Sequence, residues 1–361
     1  MTLKQIAARA GTSVSTVSRV LNHPEHQCHD QALKERIWDI AHELGYTPDM
    51  TARNLRMGVM TNQNPFPVDI FLTRFDSVHT DAFFDELLQI LRKELLENNC
   101  VFGSLMTSVD ISSLNQSMQI SPKIPYWTSE KLTREKELHT SAFVTTKKDT
   151  GLIVLGKISE ENLRTLRMRY DYIVGIDRNP TNYLYDEVFC NGATATEKAI
   201  NHLIALGHHS IAYIGDCNYE SRYIGYYQTL LTNKLPLNHN HIFPTDQTEE
   251  EGYLAMCRLL KQKDRPSAIF CANDTTALGV LRAIKGRKSR QYKPSVISID
   301  DIEAAKHSTP SLTTISIPKE EMGHLALMLL LDRRMGGHTK NIRIELPCHL
   351  IQRESCDYFY S

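Results

Sequence analysis

The chain has no long apolar run, no close cysteine pair and no dominant charge, and each lack removes a class of function. Its densest apolar stretch is LALMLLL at 325–331, far short of the ~20 residues needed to span a bilayer. The opening MTLKQIAARAG has no extended apolar core of a secretory leader, so a cytoplasmic protein is expected, with no membrane partner. Eight cysteines, at 28, 100, 190, 217, 257, 271, 348 and 356, include no C-x-x-C spacing. That argues against zinc and for reduced thiols. Lys+Arg 41 against Asp+Glu 42 leaves no global field to hold a polyanion. No phosphate-cradling G-x-G-x-x-G follows a strand and no nucleophile elbow is present. These gaps speak against an enzyme, a cofactor or a metal.

What is present divides into two textures, and 361 residues exceed one ordinary core. Residues 1–46 predict three short helices. Leu3, Ile6, Ala7 and Ala10 follow helical spacing, Gly11 breaks the first helix, and Ser13 is placed to cap the second. A third helix follows Asp30, with Leu33, Ile37, Ile40, Ala41 and Leu44 on one face. Two helices joined by a tight glycine turn make a helix-turn-helix. In its second helix Val17, Val20 and Leu21 are expected inward, leaving Ser15, Thr16, Ser18, Arg19 and Asn22 outward. Short hydroxyls and amides let a helix approach a phosphate backbone, and an arginine reaches base edges in the major groove. Local charge is modest. Residues 1–57 hold Lys/Arg at 4, 9, 19, 34, 36, 53 and 56 against Asp/Glu at 25, 30, 35, 39, 43 and 49, weak for a lone DNA binder, so a dimer with two heads is expected.

From about residue 68 apolar strand-like runs alternate with helical patterns: VDIFLTR, VFGSLM, GLIVLG, YDYIVGID, HSIAYIGD, AIFCAN and PSVISIDD. Strands apolar on both faces imply parallel sheets covered by helices, enough here for two sheets of five or six strands. Residues 107–149 are polar and aperiodic and are expected to form an irregular excursion. Ligands bind outside the carboxyl ends of parallel strands. Those ends carry Asp177, Asp216, Asn273, Asp274, Asp300 and Asp301, a set of acceptors that suits a neutral sugar better than an anion. Of these, Asp274 is expected to cap a helix, and Asp216 and Asp301 to be structural. His208 and His209 are expected to cap the preceding helix, whose C-terminus favours cations.

LKQIAARAGTSVSTVSRVLN, LKERIWDIAHELGYTPD and ARNL, with the later HLIALGHHSIAYIGD, FCANDTTALGVLRAI and PSLTTI, resemble the head, hinge and effector domain of the lactose/galactose repressor (LacI/GalR) family. The resemblance spans nearly the whole chain and is weakest from about 100 to 150. It implies a small all-α helix-turn-helix head (1–48), a hinge (49–59) and an α/β effector and dimerisation domain (60–361). That domain would hold two parallel-sheet, periplasmic-binding-protein-like lobes: about 60–190 with 317–338, and about 191–316 with 339–361. It further implies that Val14 and Ser15 choose the operator and that Arg19 contacts a base. Ser13, Thr16, Ser18 and Asn22 would contact phosphates, and Leu55 would wedge into the minor groove, unstacking a step at a cost of a few kcal/mol. Effector contacts implied are Phe83, Phe84, Arg222, Asn273 and Asp300, to which the reading of the strand ends adds Asp177. The linker HPEHQCH before the third helix is unusual, and three single residues also depart from the pattern. Asp49 stands where asparagine is frequent and Leu33 where threonine is common, and Gln247 falls where an aromatic ring often stacks.

The function so implied is a sequence-specific DNA-binding transcriptional repressor on a pseudo-palindromic double-stranded operator, controlled by a small carbohydrate. GLIVLGK, YDYIVGID and GVLRAI resemble, in order, a β-galactosidase-operon repressor of that family, which implies a galactoside. A sugar-responsive activator or corepressor-dependent regulator stays open, since sequence does not fix the sign of coupling. A transport solute-binding protein is disfavoured by the DNA-reading head. No leucine-heptad tail follows residue 340, so a homodimer and not a tetramer is expected.

Overall fold

A computed structural model of the chain describes residues 3–22, 31–44, 65–73, 81–107, 110, 147, 149–177, 179–181, 183–218, 220–286 and 292–359. The hinge with Leu55, and nearly all of the expected excursion at 107–149, lie outside them. Two compact units are distinguished: residues 1–68 with 91–104, and 69–90 with 105–361.

The first unit holds the head, made of α1 (Leu3–Ala10), α2 (Val14–Asn22) and α3 (Gln31–Glu43). Gly11 takes φ +67°, a left-handed turn that costs glycine nothing, and Thr12 N–H closes back on the Ala7 carbonyl at 3.0 Å. Ser13 Oγ then accepts from Thr16 N–H at 3.1 Å, capping α2 as the sequence predicts. Ile6, Ala7, Ala10, Val17, Val20, Leu21, Ile37 and Ala41 form one buried cluster, with Leu33, Trp38, Ile40 and Leu44 packed at its edge. The apolar positions expected to face inward do so, because a three-helix head of this size has only one core to share.

The remaining elements are, in chain order, β1 (Phe66–Leu72), α4 (Ala82–Glu97), β2 (Cys100–Thr107), β3 (Gly151–Leu155), α5 (Glu160–Arg167), β4 (Tyr172–Asp177), β5 (Asp186–Phe189) and α6 (Gly192–Ala205). They continue with β6 (Ile211–Gly215), α7 (Ser221–Thr232), β7 (Ile242–Pro244), α8 (Glu249–Leu259), β8 (Ala268–Cys271), α9 (Asp274–Lys285), β9 (Ser295–Asp300), α10 (Glu303–His307) and β10 (Thr313–Ser316). The last are α11 (Lys319–Arg334), β11 (Arg343–Glu345) and β12 (His349–Ile351). Two six-stranded sheets result, ordered β11-β5-β4-β3-β1-β2 and β12-β10-β9-β8-β6-β7. GLIVL of β3 and SVISID of β9 are buried throughout, as strands covered by helices on both faces must be. Among the described residues no helix is long and apolar enough to cross a membrane.

The chain passes between the sheets three times: after β5, after β10, and between β11 and β12. The first passage follows Phe189, the second Ser316 and the third Glu345, later than the residue 338 expected from the sequence. The reason is β11, which adds to the first sheet parallel to β5, with Glu345 opposite Phe189. The second sheet is also not wholly parallel. β12 enters from the passage by which β10 leaves, so it must run antiparallel to β10, with Ser316 opposite His349.

Candidate functional site

Two surfaces carry the chemistry. On α2, burial of Val17, Val20 and Leu21 turns the opposite side outward. Ser13, Val14, Ser15 and Arg19 are exposed, Val14 at 40%, while Thr16 and Ser18 are half-buried. Ser13 Oγ lies 2.8 Å from both Ser15 Oγ and Thr16 Oγ1. The three hydroxyls thus satisfy one another in the absence of a ligand, and each can rotate to donate to a phosphate oxygen. Asn22 ends α2, as expected.

The second surface is where the strands of the second sheet end. Arg222, in the first turn of α7, is only 1% exposed. Its Nε donates to Glu220 Oε1 at 2.7 Å and its Nη1 to the Ala272 carbonyl, just beyond β8, at 2.7 Å. Burial works against its charge, but the Glu220 carboxylate, with a contribution from Asp300, more than compensates and holds the guanidinium protonated. Glu220 in turn reaches the other lobe. Asn179, in the loop after β4, accepts from Ser221 N–H at 2.9 Å, and its Nδ2 stands 3.5 Å from Glu220 Oε2. Lys157 donates to the Asn218 carbonyl at 3.2 Å across the same gap.

Asp300 ends β9, buried, at φ +128°, a conformation most side chains avoid. Its carbonyl accepts from Lys319 Nζ at 3.1 Å, and that ammonium also binds the Asp301 carbonyl at 3.0 Å and Glu86 Oε2 at 2.5 Å. Phe83 lies beneath it, ring centroid 5.8 Å from Nζ, and meets Phe84 edge to face at 5.4 Å. Both rings are buried, with Phe84 against the Gly156 backbone, where a Cβ would crowd Thr73 and the ring. Asp177 is half-buried at the end of β4, and its carbonyl receives Cys190 N–H at 3.3 Å.

The helix cap expected at Asp274 falls on its neighbour instead. Asn273 is the residue that caps α9: its Oδ1 accepts from Thr276 N–H at 3.0 Å, while Nδ2 donates to the Gln247 carbonyl at 3.1 Å. One hydrogen and one lone pair of its amide remain. Asp274 sits inside the helix and is fully buried. It accepts from Ser298 Oγ at 2.5 Å, Thr314 Oγ1 at 2.6 Å and Ile302 N–H at 2.9 Å. Burial raises its carboxyl to about 6 despite those bonds. Asp216 and Asp301 are structural as expected, accepting from Asn218 N–H at 2.7 Å and pairing with Arg353 at 2.5 Å. His208 is not a helix cap. Its Nδ1 lies 3.0 Å from Ser267 Oγ and its Nε2 3.0 Å from the Asp357 carbonyl. Burial lowers its pKa, so at neutral pH it is a neutral bridge to the C-terminal segment.

Two residues escaped sequence reasoning. Glu220 could not be singled out because its partners lie in a different lobe and one turn away. Gln247 could be noted only as the loss of an aromatic. In the structure it is 4% exposed at φ +65°, its carbonyl held by Asn273, and neither its Oε1 nor its Nε2 makes a hydrogen bond. A buried primary amide left in that state costs roughly 1–3 kcal/mol per unmet group. It thus marks a position where a ligand with adjacent donor and acceptor is rewarded.

Comparison with known proteins adds the following. Residues 2–49 match the profile of the lacI family of bacterial regulatory proteins, and residues 200–356 that of the periplasmic binding protein-like domain. The HTH-type transcriptional repressor MelR of Bacillus subtilis (strain 168) is 27% identical over 98% of this chain and 97% of its own length. Among solved structures, a transcriptional regulator CelR–cellobiose complex superposes with a TM-score of 0.64 at 24% identity, covering 99% of this chain and 100% of that one. A lac repressor dimer bound to operator and the anti-inducer ONPF does so with 0.62 at 20%, covering 98% of each. At these identities the structural likenesses establish the fold.

Proposed function

Because the chain belongs to the LacI family of bacterial regulatory proteins, we propose that it is a transcriptional repressor whose grip on its operator is set by a neutral sugar, and that this sugar is a galactoside. Two copies would bring two α2 helices to a pseudo-palindrome, as such symmetry requires. Ser13, Thr16, Ser18 and Asn22 would hold phosphates, Val14, Ser15 and Arg19 would read base edges, and Leu55 in the hinge would wedge the centre. The lac repressor that superposes on this chain is itself a dimer on operator. The effector would sit between the lobes, in contact with Phe83, Phe84, Asp177, Arg222, Asn273 and Asp300, and shift the operator equilibrium by ~1–3 kcal/mol of coupling.

One observation carries the ligand class. The unbonded side-chain amide belongs to Gln247, the residue whose backbone carbonyl takes an Asn273 N–H, and the Asn273 amide itself keeps one donor and one acceptor. A hydroxyl supplies donor and acceptor on one atom, so a polyol satisfies such a pair. The two buried cations at the site support an uncharged ligand: Arg222 is matched by Glu220 at 2.7 Å and Lys319 by Glu86 at 2.5 Å, while the exposed Lys157 is taken up by the Asn218 carbonyl at 3.2 Å. An anion would have to break one of these pairs. CelR, the similar regulator named above, carries cellobiose, a neutral sugar.

Calorimetric titration with galactosides, glucosides, pentoses, nucleosides and sugar phosphates tests this directly. A galactoside should bind at least tenfold tighter than its phosphate ester and than any nucleoside. Tightest binding by a nucleoside or a phosphate would refute the ligand class, and tightest binding by another neutral sugar would refute the galactoside alone.

A further inference from the structure

Two of the three passages between the sheets each carry a cysteine. Cys190 directly follows β5, and Cys348 directly precedes β12. The ladder that pairs Glu345 with Phe189 runs one step beyond the strands, with Leu346 N–H on the Phe189 carbonyl at 2.9 Å. The two passages therefore leave the first sheet side by side. Both thiols are buried, at 1% and 2% exposure, and Cys190 is near enough to Cys348 to lower its thiol by hydrogen bonding. Lys198 on α6 donates to the Cys348 carbonyl at 2.7 Å, which places a positive charge beside the pair. None of the seven described cysteines forms a disulfide in the structure.

We propose that Cys190 and Cys348 are a reversible redox pair, joined by a peroxide into a disulfide that ties the first and third passages together. The pair has the parts such chemistry needs. The hydrogen bond from Cys190, helped by the Lys198 charge, brings the Cys348 thiol down to about 7, so near neutrality a large fraction is thiolate, the reactive form. That sulfur attacks one peroxide oxygen. An S–O bond forms, the O–O bond breaks, and the departing hydroxide takes a proton to leave as water. The Cys190 sulfur then attacks the Cys348 sulfenic acid. The S–S bond forms, the S–O bond breaks, and a second water leaves with the Cys190 proton. Two thiols lose two electrons and one hydrogen peroxide gains them. A small-molecule dithiol reverses the bond by exchange. Burial restricts the oxidant to something small and uncharged, which peroxide is. The consequence is mechanical: two backbone passages held side by side by ladder hydrogen bonds gain a covalent tie at one point.

The test uses the full chain and needs no effector, so its outcome is separate from that of the sugar-repressor reading. The protein is treated with graded hydrogen peroxide, alkylated with N-ethylmaleimide, digested without reductant and mapped by mass spectrometry. The expected result is a Cys190–Cys348 linked peptide that disappears after dithiothreitol. With Cys190→Ser, a dimedone adduct should collect on Cys348; with Cys348→Ser, Cys190 should collect none. Hydrogen exchange on the oxidised protein should slow at least ~3-fold across 189–191 and 345–349. Oxidation that spares this pair, that links either cysteine elsewhere, or that labels Cys190 first would overturn the proposal. So would a linked peptide without slower exchange, since the bond would then tie nothing.

Discussion

Replacing Arg222 by methionine isolates the energetics of the cleft. The substitution keeps most of the stem and removes the guanidinium, so packing changes little and the charge pair is lost. The pair is deeply buried, 2.7 Å long with side chains 2% and 5% exposed. Deleting one partner of such a pair leaves the other charge in a poor solvent, a loss of ~3–5 kcal/mol. Glu220 loses the 2.7 Å bond to its counter-charge, and the Ala272 carbonyl loses the Nη1 donor. For a domain of this size the melting temperature should fall on the order of 10 °C. The orphaned carboxyl will prefer to be neutral, so its folded pKa rises above the unfolded value. Its stabilising contribution is then full at low pH and lost as pH rises through the folded pKa. The deficit against wild type should thus be largest near pH 7 and shrink towards pH 5. Adding Glu220→Gln removes the stranded charge and should recover ~2 kcal/mol or more of the loss, a coupling read from the double-mutant cycle. Urea denaturation followed by circular dichroism at pH 5, 6 and 7 measures all four proteins. A single-variant cost under ~1 kcal/mol, or strict additivity with Glu220→Gln, would refute a coupled buried pair.

Other consequences are equally specific. Ser15→Ala should re-rank operators by ~1 kcal/mol at the base pair it faces, whereas Leu55→Ala should weaken every operator and keep their order; anisotropy on a panel of duplexes separates the two, and equal weakening by both would contradict the division of roles. Gly279 lies where α9 crosses α8, and a Cβ there would overlap the Glu249 carbonyl; Gly279→Ala should cost ~1–3 kcal/mol in denaturation, and a neutral result would mean the helices sit farther apart. The Asp274 carboxyl, raised by burial to about 6, holds its proton more tightly folded than unfolded. Its stabilisation is therefore complete below about pH 4 and lost as pH climbs through 6. Asp274→Asn should accordingly gain ~2–3 kcal/mol on wild type between pH 4 and pH 7, and a difference constant with pH would contradict the raised value.

Legibility in the sequence followed the range of the interactions. The head could be read because its signals are local: the Gly11 turn, the Ser13 cap and the helical spacing of Val17, Val20 and Leu21 all act within a few residues. The buried strands GLIVL and SVISID declare themselves by apolar content alone. β5 did not. Its Asp186 and Glu187 look solvent-facing, yet both are buried. Asp186 is satisfied by Arg333 and by His338, at 2.9 Å for the latter, and Glu187 by Thr181 at 2.7 Å. Those from α11 and the segment beyond it are some 150 positions away. At the cleft the strand ends were legible, since topology puts ligands there, but the division of labour was not. Asn273 and Asp274 are adjacent acceptors of the same helix start, and only the position of Ser298, Thr314 and Gln247 decides which caps and which is buried. The late third passage escaped for a similar reason: RIE is too short and polar to announce a strand, and it forms because β5 offers it an edge.

The central claim, that one chain couples operator binding to a neutral sugar, is tested most directly by fluorescence anisotropy of the whole protein on a library of ~20-base-pair pseudo-palindromes at fixed salt, with and without the sugar that binds tightest in calorimetry. Sequence-selective binding that this sugar weakens by tenfold or more is the predicted result. Selective binding that no sugar moves would break the coupling, and sugar binding without selectivity among duplexes would contradict the role given to α2.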